Sequence, residues 1–203
     1  AHMFKLSNIR IGIKLAVMSG LGVLLVAAML ATQLMSNSAV RGTNENVVRR
    51  AGVAQNSLEA KASMRGMQVG VRDIRLARTP ENLNRATASL GEHHKFATQF
   101  IDNALQLASR SETIEQMKGI KGLADQCAAR AKEIVAIKAE MLALQSKKPE
   151  GAEGATETAS RIAALDAQAV GIARDRTLPL AAQMEEGINK ITANAIKNMN
   201  TNV

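Results

Sequence analysis

The sequence predicts an all-α chain: an antiparallel up-down four-helix bundle preceded by one N-terminal transmembrane helix. Three observations carry that expectation. There is no Trp, no Tyr and only three Phe, so core volume must come from Ala, Leu, Ile, Val and Met, with little of the aromatic content that sheets favour. Proline occurs only at Pro80, Pro149 and Pro179, which allows a few long helices with rare breaks. From Leu15 to Met35 no residue is charged, and a helix needs about 20 apolar residues to cross a hydrocarbon core of ~30 Å.

The elements follow in order. Ala1-His2 before Met3 reads as a cloning scar, so residues 1–14 are taken as a tag remnant and a cytoplasmic N-terminus. Lys5, Arg10 and Lys14 on the near side of the span orient it by the positive-inside bias. A cleaved signal peptide is the competing reading. Its apolar core would be too long, and the best small-residue site, Met29-Leu30-Ala31, is not a clean one. Residues 15–35 are therefore expected to be an anchor, with 36–203 as the extracytoplasmic bundle.

Ser36 to Arg78 has no proline and continues in helical composition. Thr79 then offers an N-cap with Pro80 at the first helical position, opening a second helix to about Ser109. Ser111, with Glu112 beside it, is expected to cap a third helix to about Gln145. Residues 146–156 (SKKPEGAEGAT) have turn-forming composition. A fourth helix should run from Glu157 to about Asn200, with a local kink at Pro179.

Apolar residues repeat at alternating three-and-four spacing, as facing bundle helices require. Helix two carries Leu83, Ala86, Leu90, His93, Ala97, Phe100, Ala104 and Leu107. Helix three carries Ile114, Met117, Ile120, Ala124, Cys127, Ala131, Ile134 and Met141. Helix four carries Ile162, Leu165, Ala169 and Ile172, then Leu180, Met184, Ile188, Ile191 and Ala195. Helix one carries two stripes: Val53, Ala60, Met64, Met67, Val71 and Ile74, and, about 150° away, Leu58, Ala62, Val69 and Leu76. One stripe suffices to bury a helix in a bundle. The second implies another partner, most simply a second copy of the chain across a two-fold axis.

The net charge of +8 raises the question of nucleic acid. The basic residues are spread along the helices without aromatics for base stacking, so no nucleic-acid partner is expected. No constellation supports catalysis. There is no nucleophile elbow, no H-E-x-x-H and no phosphate-cradling glycine loop, and the only imidazoles are His2, His93 and His94. The single cysteine, Cys127, allows no internal disulfide and no multi-cysteine metal site. No cofactor or metal is expected. His93 reads as a core-edge residue and Cys127 as a small buried apolar one, with pH sensing, haem ligation and redox sensing as the alternatives.

Arg65, Arg72, Arg75 and Arg78 cluster late in helix one. With Met64 at 0°, Arg65 falls at about 100°, Arg72 at about 80° and Arg75 at about 20°. Arg65 and Arg72 thus lie between the two apolar stripes, where a guanidinium fork can meet a carboxylate in bidentate fashion. The bland alternative is a set of solvated arginines paired with Asp73 and Glu81.

Three segments carry a resemblance. They are FKLSNIRIGIKL (residues 4–15), MRGMQVGVRDIRLA (64–77) and TLPLAAQM (177–184). With the helical pattern, they resemble bacterial methyl-accepting chemotaxis proteins whose ligand-binding domain is a four-helix bundle, like the aspartate and serine receptors. The resemblance implies a chemotaxis transducer in the bacterial inner membrane with its sensor domain in the periplasm. It also implies a homodimer through helix one and signalling through the last helix. Arg65, Arg72 and Arg75 are the nearest counterparts of that family's ligand-binding arginines. Where the aspartate receptor offers a hydroxyl after the helix-four proline, this chain has Leu180, and Thr177 is the nearest hydroxyl upstream. A small organic carboxylate, aliphatic in preference to aromatic, is the expected ligand. Sensor histidine kinases share this input domain, and a ligand-free membrane-anchored helical protein is the reading from another class.

Overall fold

A computed structural model describes residues 11–147 and 151–200, with side chains described for 19, 22–35, 41–42, 44–147 and 151–198. Among these residues the chain is all-helical. Helix α1 is assigned over Ile11–Leu76, α2 over Pro80–Leu107, α3 over Ser111–Ser146, α4 over Gly151–Ile172 and α5 over Leu178–Asn200, with a wide π-type turn at Ala173–Thr177 between the last two. By contacts the chain divides into two compact units meeting between Val47 and Val48.

In the first unit, Val23, Leu24, Leu25, Val26, Met29, Leu30, Leu34 and Met35 are each more than half exposed. Four of them are consecutive, so apolar side chains occupy every side of the helix. Among the described residues no helix is long and apolar enough to cross a membrane. The span expected at 15–35 begins among residues whose side chains lie outside the described set, as do the basic residues Lys5, Arg10 and Lys14 that were expected to orient it.

The second unit holds two hydrophobic clusters. One draws Val53 to Met67 from α1, Ala97 to Ala104 from α2, Met117 to Ala128 from α3 and Ala181 to Ala195 from α5. The other draws Val71 to Ala77 from the end of α1, Leu83 to Leu90 from α2, Ala131 to Leu142 from α3 and Leu165 to Ala173 from α4 and the wide turn. Met67, Met117 and Met184 are essentially inaccessible and supply bulk that aromatic rings would otherwise fill. Phe100 only leans on the first cluster, and Phe96 is exposed.

Helix ends show how local chemistry sets the boundaries. Thr79 caps α2 as expected, its Oγ1 accepting from the Asn82 backbone N–H at 3.2 Å, with Pro80 next in line. Ser111 does not cap α3. It is the first helical residue, and Arg110 holds the cap position without a side-chain bond; Glu112 in the first turn complements the helix dipole instead. The expected loop at 146–156 is shorter than its composition suggests. Gly151 turns the chain at φ +75°, and Ala-Glu-rich sequence after it is helical six residues before Glu157. Lys148, Pro149 and Glu150 lie outside the described residues.

Arg49 and Arg50 provide two contacts that sequence patterns did not suggest. Arg49 Nη2 donates to the Leu107 carbonyl at 3.3 Å, and Arg50 Nη1 donates to the Asn198 carbonyl. Both carbonyls are near helix C-termini, where unpaired acceptors and the negative dipole end favour a cation. Helix α2 lies close on α1: a Cβ built on Gly70 would stand 2.9 Å from Leu90 Cβ and 3.2 Å from its Cα.

Candidate functional site

Both stripes expected on helix one are present. Val53, Ala60, Met64, Met67, Val71 and Ile74 are buried, while Leu58, Val69 and Leu76 are 54%, 46% and 67% exposed. The arginines therefore sit on a helix packed on one side and bare on another.

Residues from α1 and from the region of the wide turn come together in a cleft of about 80 Å³. Gln68, Val71, Arg72 and Arg75 line it from α1, spaced to share one face of the helix. Ala173, Thr177, Leu178 and Ala181 line it from the other side. Three of the four residues singled out from sequence, Arg72, Arg75 and Thr177, meet in this one place. Arg65 does not line it. Its Nη2 lies 2.6 Å from Glu185 Oε1 on α5, a carboxylate that Lys61 also approaches at 3.3 Å. Hydrogen bonds from Arg65 and then Lys61 hold the Glu185 carboxyl below its ordinary pKa.

Among the described residues Arg72 is engaged only by its neighbour Asp73, at 3.3 Å across two exposed side chains, a pair that water screens heavily. Among the described residues no ion pair or hydrogen bond engages Arg75. Thr177 is buried, and its Oγ1 donates to the Ile172 carbonyl at 3.2 Å. Its proton is thus turned inward, the surface of the cleft is almost wholly apolar, and Arg72, Arg75 and Gln68 are the lining residues that carry other side-chain donors. Sequence reading missed Gln68. The signal was its spacing of four and seven residues before Arg72 and Arg75.

The wide turn exists for two reasons legible in residues. Pro179 has no N–H, and in a regular helix its ring would press on the Asp175 carbonyl. A turn with one extra residue relieves that contact, and Leu178 N–H reaches back five residues to the Ala173 carbonyl. The second reason is phase. From Ile172 to Leu180 is eight residues, an overshoot of about 80° at 100° per residue. One surplus residue absorbs nearly all of it, so Ile172 and Ala173 are both buried and the α5 stripe begins at Thr177 and Ala181. Leu180 is only half-buried, packed against the first cluster. The kink expected at Pro179 is thus preceded by this turn.

Around the cleft the charge is mixed. Arg174 and Asp175 pair at 2.7 Å in the open, which lowers the Asp175 pKa through its bond from Arg174. A larger groove of about 580 Å³ runs between the start of α2 and the end of α3, past Leu83, Asn84, Leu142 and Ser146. Among the described residues Arg78 is its only charged lining residue, joined by the polar Thr79, Asn84, Gln145 and Ser146.

The remaining reactive side chains are occupied. His94 Nε2 lies 2.8 Å from Asp125 Oδ1, and the His93 ring fills the space over Gly66. Cys127 is fully buried, and desolvation pushes its thiol up to about 11, against formation of the reactive thiolate. Among the described residues no three His, Cys, Asp or Glu side chains gather as a metal site. Comparison with known proteins matches no family model, no curated protein and no solved structure.

Proposed function

We propose that the chain is the ligand-sensing input module of a bacterial chemotaxis transducer, anchored in the inner membrane by residues 15–35, with its bundle in the periplasm. A small organic carboxylate binds at the cleft between α1 and the wide turn, and α5 carries the signal toward the membrane. The observation that carries this reading is that Arg72, Arg75 and Gln68 line one cleft with Ala173 and Thr177 of the wide turn. Anions favour guanidinium forks, and π-turns concentrate at functional sites. An anion preferring one packing of that turn would shift the populations of the two packings.

The finer architecture in this proposal is an up-down bundle. The order in which the chain visits its two clusters supports it: first then second along α1, second then first along α2, first then second along α3, and second then first from α4 to α5. Arg49 and Arg50 support it too, because they bond the ends of α2 and α5 from the same stretch of α1. The anchor is supported by the all-round apolar exposure from Val23 to Met35. Thr32 also returns its hydroxyl to the Ala28 carbonyl at 2.7 Å, which satisfies it within its own helix. A homodimer through α1 is supported by the bare stripe of Leu58, Val69 and Leu76.

The test is calorimetry on the full chain in detergent micelles with a panel of carboxylates, followed by Arg72→Ala and Arg75→Ala. Losing a charge-assisted bond costs about 1.5–3 kcal/mol, so each variant should weaken a hit about ten- to a hundredfold. A hit whose affinity survives both substitutions would show these arginines to be surface charge.

A further inference from the structure

We propose that the second unit works as two helix pairs, α1 with α2 and α3 with α5, which shear past each other along two ion-paired seams, and that Glu185 is the latch on one of them. The shear concerns how the bundle moves and does not depend on what the cleft binds.

Glycine notches fix each pair internally. Gly52, Gly66 and Gly70 on α1 receive Leu107, His93 and Leu90 of α2. A Cβ on these glycines would stand 2.6 Å from Leu107 Cδ1 and 2.9 Å from Leu90 Cβ, and would run into the His93 ring. Gly187 on α5 receives Ile120 of α3 in the same way, with Ile120 Cδ1 2.9 Å from where a Cβ would stand. A side chain seated in a notch must ride over the next Cβ before its helix can slide, so close packing resists axial motion there. Arg161 Nη2, 2.8 Å from Glu140 Oε1, ties α4 to α3 and keeps it with the second pair.

The seams between the pairs are built differently. Across α1 and α5, Arg65 Nη2 lies 2.6 Å and Lys61 Nζ 3.3 Å from Glu185 Oε1, and Lys61 also donates to Asn189 Oδ1 at 2.7 Å. Arg50, donating to the Asn198 carbonyl, crosses the same seam on another long side chain. Across α2 and α3, Lys121 Nζ reaches both Asp102 carboxylate oxygens at 2.6 and 2.7 Å, and His94 meets Asp125 at 2.8 Å. Among the described residues no glycine notch crosses either seam. A lysine or arginine can follow a sliding partner, as a seated leucine cannot. The two acceptors of Lys61 are four residues apart on α5, about one helical turn, so it can pass from one to the other and stay bonded. Beneath this seam lie Met64 and Met67 of α1 and Met184 of α5, unbranched side chains that repack readily. Exposed ion pairs are individually weak and salt screens them, which suits a latch that must open.

The experiment is pulsed electron paramagnetic resonance on the full chain in detergent micelles, reading distances between two nitroxide labels, with labelled chains diluted in unlabelled ones. Cys127 is buried and escapes the label. Gln55→Cys with Ala182→Cys reads across the α1–α5 seam. Gln55→Cys with Ser89→Cys reads within the first pair, and Ala129→Cys with Lys190→Cys within the second; all five positions are exposed. Salt is raised from about 0.01 M to about 1 M, which cuts the screening length from about 30 Å to about 3 Å. That change, and Glu185→Gln at low salt, should each move the cross-seam distance by about 1–2 Å, the scale of helix shifts. Both within-pair distances should stay where they are.

A cross-seam distance that holds under both changes overturns the shear. Within-pair distances that move as far as the cross-seam one overturn it as well, because the bundle would then be loosening throughout. A shift with salt that Glu185→Gln fails to reproduce overturns Glu185 as the latch. Carboxylate binding enters none of these readings, so the anion site stands or falls separately.

Discussion

Gly70 and Gly119 differ in what a methyl group would meet. At Gly70 a Cβ would crowd Leu90 Cβ at 2.9 Å and the Leu90 backbone at 3.2 Å, neither of which is the loose end of a side chain. At Gly119 nothing lies within 4 Å. Ala gains about 1 kcal/mol over Gly in a helix interior, whereas overpacking costs about 1–3 kcal/mol. Gly119→Ala should therefore raise the melting temperature and Gly70→Ala should lower it, read by thermal circular dichroism. The same sign for both would mean that α1 and α2 yield at Gly70. Glu185 makes a second residue-scale case. Its folded pKa is depressed below 4.5 by Arg65 and Lys61. Its stabilising effect is therefore present above pH 4.5 and disappears as pH falls through the folded value. A melting difference between the native chain and Glu185→Gln should exist at pH 7 and vanish at strongly acid pH. A difference that persisted there would assign the effect to packing, since both partners are solvated and the pair is weak.

Among the elements, α1 is the one with more apolar surface than its bundle can use. Its buried stripe and its exposed stripe were both readable from spacing alone, because a long regular helix keeps its period over many turns. Val69→Glu would put a charge in the middle of that stripe without touching the core. Sedimentation of the chain in detergent should then show weaker self-association, by about tenfold or more if the stripe is the seam of a two-fold pair. An unchanged association constant would move the seam elsewhere. The segment after Ile172 was harder to read. Its apolar spacing breaks by one residue, and a proline nearby suggested bending, so a surplus residue taken up by a wide turn went unrecognised. The phase error of about 80° was present in the residue numbers.

Across the whole molecule, the all-helical composition and most of the buried positions were legible, because small aliphatic residues at helical period leave few other folds. Ile101, Ile137, Leu142 and Ala181 are among the core residues that were missed, since each lies beside the stripe drawn through its helix. Of the four residues singled out, Arg72 and Arg75, noted as arginines late in helix one, and Thr177, noted as the nearest hydroxyl upstream of the proline, line one cleft. Arg65 was assigned with them, but Glu185 on α5 reaches it first, a tertiary pairing that local spacing does not encode. Gln68 was overlooked because its spacing from Arg72 and Arg75 is a signal only once those two are known to share a cleft.

The wide turn also bears on how this chain tolerates changes in length. Most single-residue deletions in a bundle helix turn everything downstream by about 100° and expose its core face. At Ala173–Thr177 the helix already holds one residue too many, so removing one there would bring the spacing from Ile172 to Leu180 down to seven, two nearly whole turns. Deletion of Arg174 should leave a folded, helical chain with a melting temperature within a few degrees of the native one, whereas deletion of Glu186 should unfold it. The shortened chain would reshape the cleft wall at Ala173 and Thr177 and should weaken the binding of any carboxylate that the native chain takes. In this segment a gap in the sequence costs recognition while sparing the fold.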